Sequence, residues 1–203
     1  MTEWLSIGIS LIALVISIAT AWLTLFRKGE LRMTQPTVVF FGPDGGRPDR
    51  KPRSKVFLRT LLYSTARQGQ IVESLHVNLQ RRESKQNFSI WVYGDDNLTR
   101  GSGLFVPAEG IACNHHFLLP EDITNFKFLA GDYTVRVYAK KVGAAAPKEL
   151  AIIRLNISDS NAKALEKEGS GIYFDWGPDQ QAYQTHIDRA PKPMPTKLFD
   201  EPG

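Results

Sequence analysis

The sequence predicts an all-β protein, a two-layer antiparallel sandwich, preceded by one N-terminal transmembrane helix. Three observations indicate this fold class. An uncharged run of apolar and small residues extends from Trp4 to Phe26. From Thr37 to Ser158, apolar residues alternate with polar ones at a period of two, and turn-forming residues close each run. This second region has room for about eight strands and contains no long helical pattern, which favours a sandwich over a parallel sheet.

The N-terminal run has the length of a membrane-spanning helix. At about 1.5 Å per residue it extends roughly 35 Å, whereas the hydrocarbon core of a bilayer is about 30 Å thick. A cleavable signal peptide is the alternative interpretation. It fits less well, because the first three residues carry no positive charge, the run is longer than a signal peptide requires, and residues 25–28 offer no small-x-small cleavage site. Residues 1–26 are therefore predicted to form a membrane anchor.

Flanking residues predict the orientation of this helix. Arg27, Lys28 and Arg32 follow its C-terminal end and no basic residue precedes it, so the positive-inside rule places the N-terminus outside and the rest of the chain in the cytoplasm. Trp4 and Trp22, near the two ends, are typical of membrane-interface anchors. The single cysteine of the chain agrees with a reducing compartment. The predicted location is the plasma (inner) membrane.

Small residues recur along the helix at helical spacing. Such a stripe lets a second helix approach closely, which predicts a homo-oligomer or a membrane partner on this surface. The alternative is that these residues dilute an aliphatic helix and pack on nothing. The candidate packing residues are Ser6, Ser10, Ala13, Ser17 and Ala21.

The segment after the helix is strongly basic. Between Arg27 and Lys55, eight positive residues stand against three negative ones, a net charge of +5 in a chain whose total is +4. Residues 27–36 are predicted to form a basic linker, and the whole cluster predicts contact with anionic lipid headgroups. A solvated loop is the alternative. Nucleic acid is not expected as a partner, because the charges are not interleaved with aromatic residues that stack on bases.

Residues 37–158 are predicted to form the sandwich domain. Its clearest feature is a hairpin in which Tyr133 to Val142 pairs with Glu149 to Ile157. Positions 130–135, at the entry to this hairpin, read Ala-Gly-Asp-Tyr-Thr-Val. They resemble the entry to the penultimate strand of immunoglobulin and fibronectin-III sandwiches, where a corner tyrosine binds upstream backbone through its hydroxyl. The resemblance implies an immunoglobulin- or fibronectin-III-like sandwich, and a partly open barrel is the alternative.

Residues 159–203 are predicted to add a short helix, an aromatic segment and a Pro-rich tail. Asp159 is expected to cap the helix. The segment from Gly171 to Asp179 is unusually aromatic, so we expect it to pack onto a face or an edge of a sheet. Prolines beyond Ala190 favour an extended end.

Local clusters offer few candidates for chemistry. Cys113, His115 and His116 form the one local cluster of soft ligands, but alternation along a strand puts Cys113 and His115 on one face and His116 on the other. They therefore predict neither a metal site nor a nucleophile pair, and a buried thiol beside a hydrogen-bonded histidine is the simpler interpretation. Asp175 and Asp179 flank a Gly-Pro pair, where turn chemistry explains carboxylates. No catalytic residue, cofactor or metal is predicted.

Exposed aromatic side chains are the remaining candidates. If Phe88 to Tyr93 forms one strand with Phe88 inward, then Trp91 and Tyr93 lie on its solvent face and, like Trp176, are candidates for a protein contact. The alternative is that Trp91 and Tyr93 pack beneath the aromatic segment near the C-terminus.

Together these features predict a single-pass membrane protein whose cytoplasmic sandwich acts as a protein-interaction module in a membrane-associated assembly. The alternative is an oligomerising membrane effector, or a channel-like subunit, whose sandwich senses a trigger. A third interpretation, an enzyme with a site scattered over loops, has no catalytic signature to support it.

Overall fold

One helix precedes a domain of two β-sheets in the computed structural model of this chain. The structure describes residues 2–26, 29–45, 52–94, 99–120 and 126–189. Three sets of sequence predictions fall outside these ranges: the basic pair Arg27 and Lys28, the cations at positions 47, 50 and 51, and the extended end beyond Ala190.

The helix is the predicted membrane anchor. Helix α1 (Thr2–Ala21) continues into a π-helical turn (Trp22–Phe26). Among the described residues it is the one helix long and apolar enough to cross a membrane, over Glu3–Thr24, with a mean hydropathy of 2.2. None of that span is buried within the described protein. The span Glu3–Thr24 is therefore helical and has no cover from the described part of the protein.

The rest of the described chain is mostly β-strand, with one short second helix, α2 (Asp159–Leu165). Ser158, not the predicted Asp159, caps this helix, because the Ser158 hydroxyl accepts a hydrogen bond from the Asn161 N–H at 3.2 Å. The described strands are β1 (Leu31–Met33), β2 (Val38–Pro43), β3 (Ser54–Ser64), β4 (Gln70–Arg81), β5 (Ser84–Phe88), β6 (Ile90–Tyr93), β7 (Thr99–Arg100), β8 (Leu104–Val106), β9 (Ile111–Leu118), β10 (Gly131–Lys141), β11 (Lys148–Ile157), β12 (Gly171–Gly177) and β13 (Ala182–Asp188).

These strands form two antiparallel sheets that enclose the core. The larger sheet has the order β13-β12-β2-β3-β9-β6-β7, with β1 paired to β3. The smaller sheet has the order β11-β10-β4-β5, with β8 paired to β4. The predicted all-β antiparallel fold and the β10–β11 hairpin are confirmed.

The strands extend beyond the predicted domain range of 37–158 on both sides. β1 lies inside the segment predicted as a linker, where Leu31 pairs with Ser64 of β3. The aromatic segment near the C-terminus forms β12, which pairs with β2 at the edge of the larger sheet. Its expected packing on a sheet edge is therefore found as strand pairing.

The core is filled by inward side chains of both sheets. Phe41 stacks on Phe128 at a centroid distance of 5.0 Å and meets Phe174 edge to face at 5.2 Å. Phe41 and Phe174 are fully buried. β2 and β12, which lie near opposite ends of the domain sequence, thus meet in one core. This contact joins the β12–β13 hairpin to the rest of the sandwich.

A strand that changes sheets corrects one prediction. Phe88 to Tyr93 is not a single strand, because β5 belongs to the smaller sheet and β6 to the larger one, with Ser89 between them. The two strands face each other across the core, so Phe88 and Trp91 both point inward, and Trp91 is only 3% exposed. The expected solvent-face position of Trp91 is wrong for this reason.

Strand β3 defines the two ends of the sandwich. Its Ser64 end pairs with Leu31 of β1, close to the anchor, and its Ser54 end pairs with Pro43 of β2. We call these the proximal and distal ends, about 33 Å apart at 3.3 Å per residue. Lys55 therefore lies at the distal end, whereas Arg32 lies on β1 at the proximal end, and contact of the basic segment with lipid headgroups stays a prediction. The cations at positions 47, 50 and 51 lie outside the described residues.

Candidate functional site

Strand register aligns six side chains in one row across the outer face of the larger sheet. Each member is the direct cross-strand partner of the next, and the residues on either side of it in the sequence point toward the core or the strand edge. We call this alignment the aromatic row; two of its six members, Phe40 and Val92, are buried. Its members, from β13 to β6, are His186, Tyr173, Phe40, Phe57, His116 and Val92.

The rings of the row contact one another. Tyr173 and His186 are stacked, with centroids 5.0 Å apart and planes at 12°. Phe40 lies 4.6 Å from Tyr173, and Phe57 lies 5.0 Å from His116. Such contacts stabilise each ring in one orientation beyond what burial alone provides.

Glycine lets the central ring lie against the backbone. A Cβ atom on Gly171 would come within 2.2 Å of the Phe40 ring, and one on Gly42 within 2.5 Å. Since no side chain occupies these positions, Phe40 sinks to 2% exposure although it is on the outer face. The row is therefore a shallow, ordered apolar surface with half-buried rings on either side of Phe40.

Charged side chains lie beside the rings of the row. The Lys55 Nζ lies 5.1 Å from the Phe40 ring centroid, and burial lowers the pKa of Lys55 to about 8, against the opposing effect of Asp44. Burial, with the charge of Lys55 and His115, lowers the pKa of His116 to about 3, so this imidazole is neutral at pH 7. At the β13 edge, His186 Nδ1 lies 2.9 Å from Asp175 Oδ2.

This arrangement suits non-covalent recognition. Aromatic side chains are enriched in protein interfaces, and charged groups beside them, here Lys55, Asp175 and Asp188, are typical of the interface rim. Among the described residues, no three His, Cys, Asp or Glu side chains are grouped so that they could hold a metal ion.

The cysteine and histidine cluster divides between the two faces of β9, as alternation predicts. Cys113 packs against the core, and His115 is 1% exposed. His115 Nδ1 accepts a hydrogen bond from Trp91 Nε1 at 3.2 Å, whereas His116 belongs to the aromatic row on the opposite face. The structure thus brings His115 together with Trp91, which the sequence did not indicate.

The three aromatic residues predicted as a protein contact do not form one patch. Trp91 is buried, and Tyr93 is half-buried with its hydroxyl donating to the Gly103 carbonyl at 2.6 Å. Trp176 is half-buried and packs edge to face on Tyr183 at 5.0 Å. Trp176 and Tyr183 close the turn end of the β12–β13 hairpin.

The candidate membrane residues are exposed along the helix. Trp4 and Trp22 are exposed near its two ends, and the five small residues fall within an arc of about 80° at 100° per residue. The Ser17 hydroxyl donates to the Ala13 carbonyl at 2.8 Å, so it is satisfied within the helix. Arg32 is exposed and pairs with Glu30 at 3.2 Å.

Comparison of the chain with models of known protein families, with curated proteins and with solved structures finds no significant match.

Proposed function

We propose that this chain is a single-pass membrane-anchored recognition module, whose immunoglobulin-like β-sandwich lies in the cytoplasm at the plasma (inner) membrane and binds another protein through the aromatic row. The row is the observation that carries this function. It aligns aromatic and apolar side chains of six strands of one sheet outside the core.

The anchor supports the membrane location. An apolar helix with no protein cover would expose its side chains to water unless lipid surrounds them. The basic residues that follow it favour an outside N-terminus. Cell fractionation with alkaline extraction, together with intact-mass measurement, distinguishes a retained span from a cleaved leader.

The corner tyrosine supports the immunoglobulin-like assignment. The Tyr133 hydroxyl accepts from the Leu129 N–H and donates to the Leu129 carbonyl, both at 2.8 Å. The resemblance in the sequence implied a bond of this kind between a tyrosine and upstream backbone.

Binding through the row would require little loss of side-chain conformational entropy. The Tyr173 ring already contacts Phe40, and the Phe57 ring already contacts His116, so a partner would not have to immobilise flexible side chains. Lys55 and the His186–Asp175 pair at the margins would supply the polar contacts that fix orientation.

The test compares two tyrosines that stack on histidines on opposite sheets. Tyr173 stacks on His186 in the row, and Tyr138 stacks on His76 at 5.1 Å and 10° on the outer face of the smaller sheet. Full-length chains are cross-linked in cells, extracted in mild detergent and purified. We expect Tyr173→Ala to lower the yield of the cross-linked complex about tenfold. Tyr138→Ala should leave that yield unchanged.

Two results would count against this function. One is recovery of the parent chain as a monomer without a cross-linked protein. The other is an equal loss in both variants, which would point to a general effect of the substitutions. Thermal unfolding of each variant shows whether it has kept its fold.

The small-residue arc on α1 favours a second candidate, an oligomerising membrane effector whose sandwich senses a trigger. Ser6, Ser10, Ala13, Ser17 and Ala21 share one side of a helix that nothing in the described protein covers. Replacing Ala13, Ser17 and Ala21 by Leu would abolish discrete cross-linked oligomers if this function is correct. If the parent chain and the Leu variant are both recovered as monomers, this second function is excluded.

A further inference from the structure

Three large apolar side chains are exposed together at the proximal end of the smaller sheet. Ile71 is 52% exposed, Phe105 59% and Val142 62%. Ile71 and Phe105 are direct cross-strand partners on β4 and β8, and the Val142 N–H donates to the Ile71 carbonyl at 3.0 Å. We call these three residues the proximal patch.

The patch differs from the rest of the same face. Farther along, the outer face of the smaller sheet carries polar pairs, including Lys140 with Glu73 at 2.9 Å and Asn78 with Asn87 at 2.7 Å. Ile152, on β11, is also 46% exposed, but the three apolar side chains that adjoin one another lie where the sheet ends.

Two structural features keep the proximal patch exposed. The Phe105 ring lies over Gly69, where a Cβ atom would come within 2.4 Å of the ring. Val142 opens the exposed β10–β11 turn, whose remaining residues, 143–147, are Gly, Ala and Pro without a charge. An ordered aromatic ring beside an uncharged turn presents apolar surface that the domain itself does not cover.

The same end of the sandwich contacts the chain that leaves the anchor. Lys141 Nζ donates to the Gly29 carbonyl at 3.4 Å, and Lys148 Nζ lies 3.0 Å from Glu30 Oε1. Gly29 follows the last residue of the helical segment, Phe26, by three positions, a reach of at most about 10 Å. The patch therefore belongs to the part of the domain nearest to the bilayer.

Charge at this end is mixed with an excess of cations. The Lys148–Glu30 pair is largely exposed on both sides, so it is weakly held and leaves the ammonium group able to reach another anion. Apolar side chains bordered by Lys and Arg are the composition of surfaces that rest in the headgroup layer. The charged side chains are Arg32, Arg67, Lys140, Lys141 and Lys148 against Glu30, Glu73 and Glu109, a net charge of +2.

We propose that the proximal patch docks into the headgroup layer of an anionic bilayer, with Ile71, Phe105 and Val142 in the interface and the surrounding lysines on lipid phosphates. The inference rests on the proposed membrane anchor. Docking would turn the smaller sheet toward the membrane and leave the aromatic row on the larger sheet facing the cytoplasm.

The experiment measures the environment of one residue at each end of the sandwich. The full chain, in a Cys113→Ala background, is placed in nanodiscs of phosphatidylcholine with or without phosphatidylserine. Val142→Cys carries an environment-sensitive fluorophore at the patch. Leu129→Cys, which is 48% exposed at the distal end, is the matched control.

We expect about twofold brighter emission at position 142 with phosphatidylserine, and quenching of that emission by doxyl lipids, with neither change at position 129. Lys141→Gln combined with Lys148→Gln should remove most of the dependence on phosphatidylserine.

Three outcomes would overturn the proposal. If the chain resists alkaline extraction but position 142 is not quenched, the patch does not touch lipid, although the anchor stands. If the chain is extracted, the anchor itself is wrong. If emission at position 142 changes only in nanodiscs that hold two chains, a second copy covers the patch in place of lipid.

Discussion

The indole N–H of Trp91 donates to Nδ1 of His115 over 3.2 Å inside the core. Because Nδ1 is the acceptor, the neutral imidazole carries its proton on Nε2, which has no hydrogen-bond partner in the described part of the protein. Burial lowers the pKa of His115 to about 4. The folded state therefore requires a neutral His115, which makes the stability of the sandwich sensitive to acid.

We predict that the free energy of unfolding falls as pH drops from 6.5 to 4. His115 binds a proton in the unfolded chain below its ordinary pKa of 6.5, whereas the folded state resists protonation down to about 4. The unfolded state thus binds more protons across this window, and stability is lost by up to about 1.4 kcal/mol per pH unit. His116, whose pKa is lowered to about 3, adds to the same slope.

Urea unfolding of the full chain in mild detergent at pH 7, 5.5 and 4.5 measures this slope. His115→Gln retains an acceptor for the Trp91 indole but cannot titrate, so its stability should depend less on pH than that of the parent chain. Parallel slopes in the two chains would show that His115 is not the titrating group.

We predict that Tyr133→Phe destabilises the sandwich by about 1 to 2 kcal/mol. The substitution removes only the hydroxyl that bonds both the N–H and the carbonyl of Leu129, and it leaves these two backbone groups without their partner. Tyr138→Phe is the control, since it removes a single 3.2 Å bond to Glu149 at the surface. Its effect on urea unfolding should stay within about 0.5 kcal/mol. Equal effects of the two substitutions would contradict a structural role for the corner tyrosine.

Gly101→Ala should destabilise the protein by about 1 to 3 kcal/mol, because overpacking forces the core side chain beside it to move. A Cβ atom at position 101 would lie 1.9 Å from the Trp91 ring, and the Gly101 N–H is bonded to the Trp91 carbonyl at 2.8 Å. Gly177→Ala is the matched control, since its nearest neighbour is 3.3 Å away. Thermal unfolding followed by near-ultraviolet circular dichroism tests both. A tolerated Gly101→Ala would mean that Trp91 is not held where the structure has it.

Alternation of apolar and polar residues predicted the strands that have one solvent-exposed face and one buried face. Leu75, Val77 and Leu79 alternate with polar residues, and all three are buried in β4. Alternation could not reveal that the chain changes sheets at Ser89. The side chains still alternate between two faces on either side of Ser89, but the face that points to the core is the opposite one after the crossing. β1 has only three residues, too few for a period to be recognised.

Position along the chain was a poor guide to position in the domain. Lys55 is close to the anchor in sequence, yet the β2–β3 hairpin carries it to the distal end. The aromatic row was missed for a related reason. Alternation places Phe57, His116 and Tyr173 on outer faces one strand at a time, but only the register between strands distant in sequence aligns them.

We predict that stability rises between pH 8 and 9.5, and that Lys55→Met removes this rise. Burial beside the Phe40 ring lowers the pKa of Lys55 from 10.5 to about 8, so in this window the folded state releases a proton that the unfolded chain retains. Because the unfolded state binds more protons, the free energy of unfolding increases with pH, by about 1 kcal/mol.

Urea unfolding at pH 7.5, 8.5 and 9.5 tests this prediction, and the ionisation of tyrosines near pH 10 is common to the parent chain and the variant. Other groups that titrate near pH 8 are present in both chains and cancel in the comparison. Arg59→Met, on the same strand but exposed, is the control and should keep the slope of the parent chain. If Lys55→Met keeps that slope as well, the ammonium group is solvated, and the aromatic row has no desolvated cation at its margin.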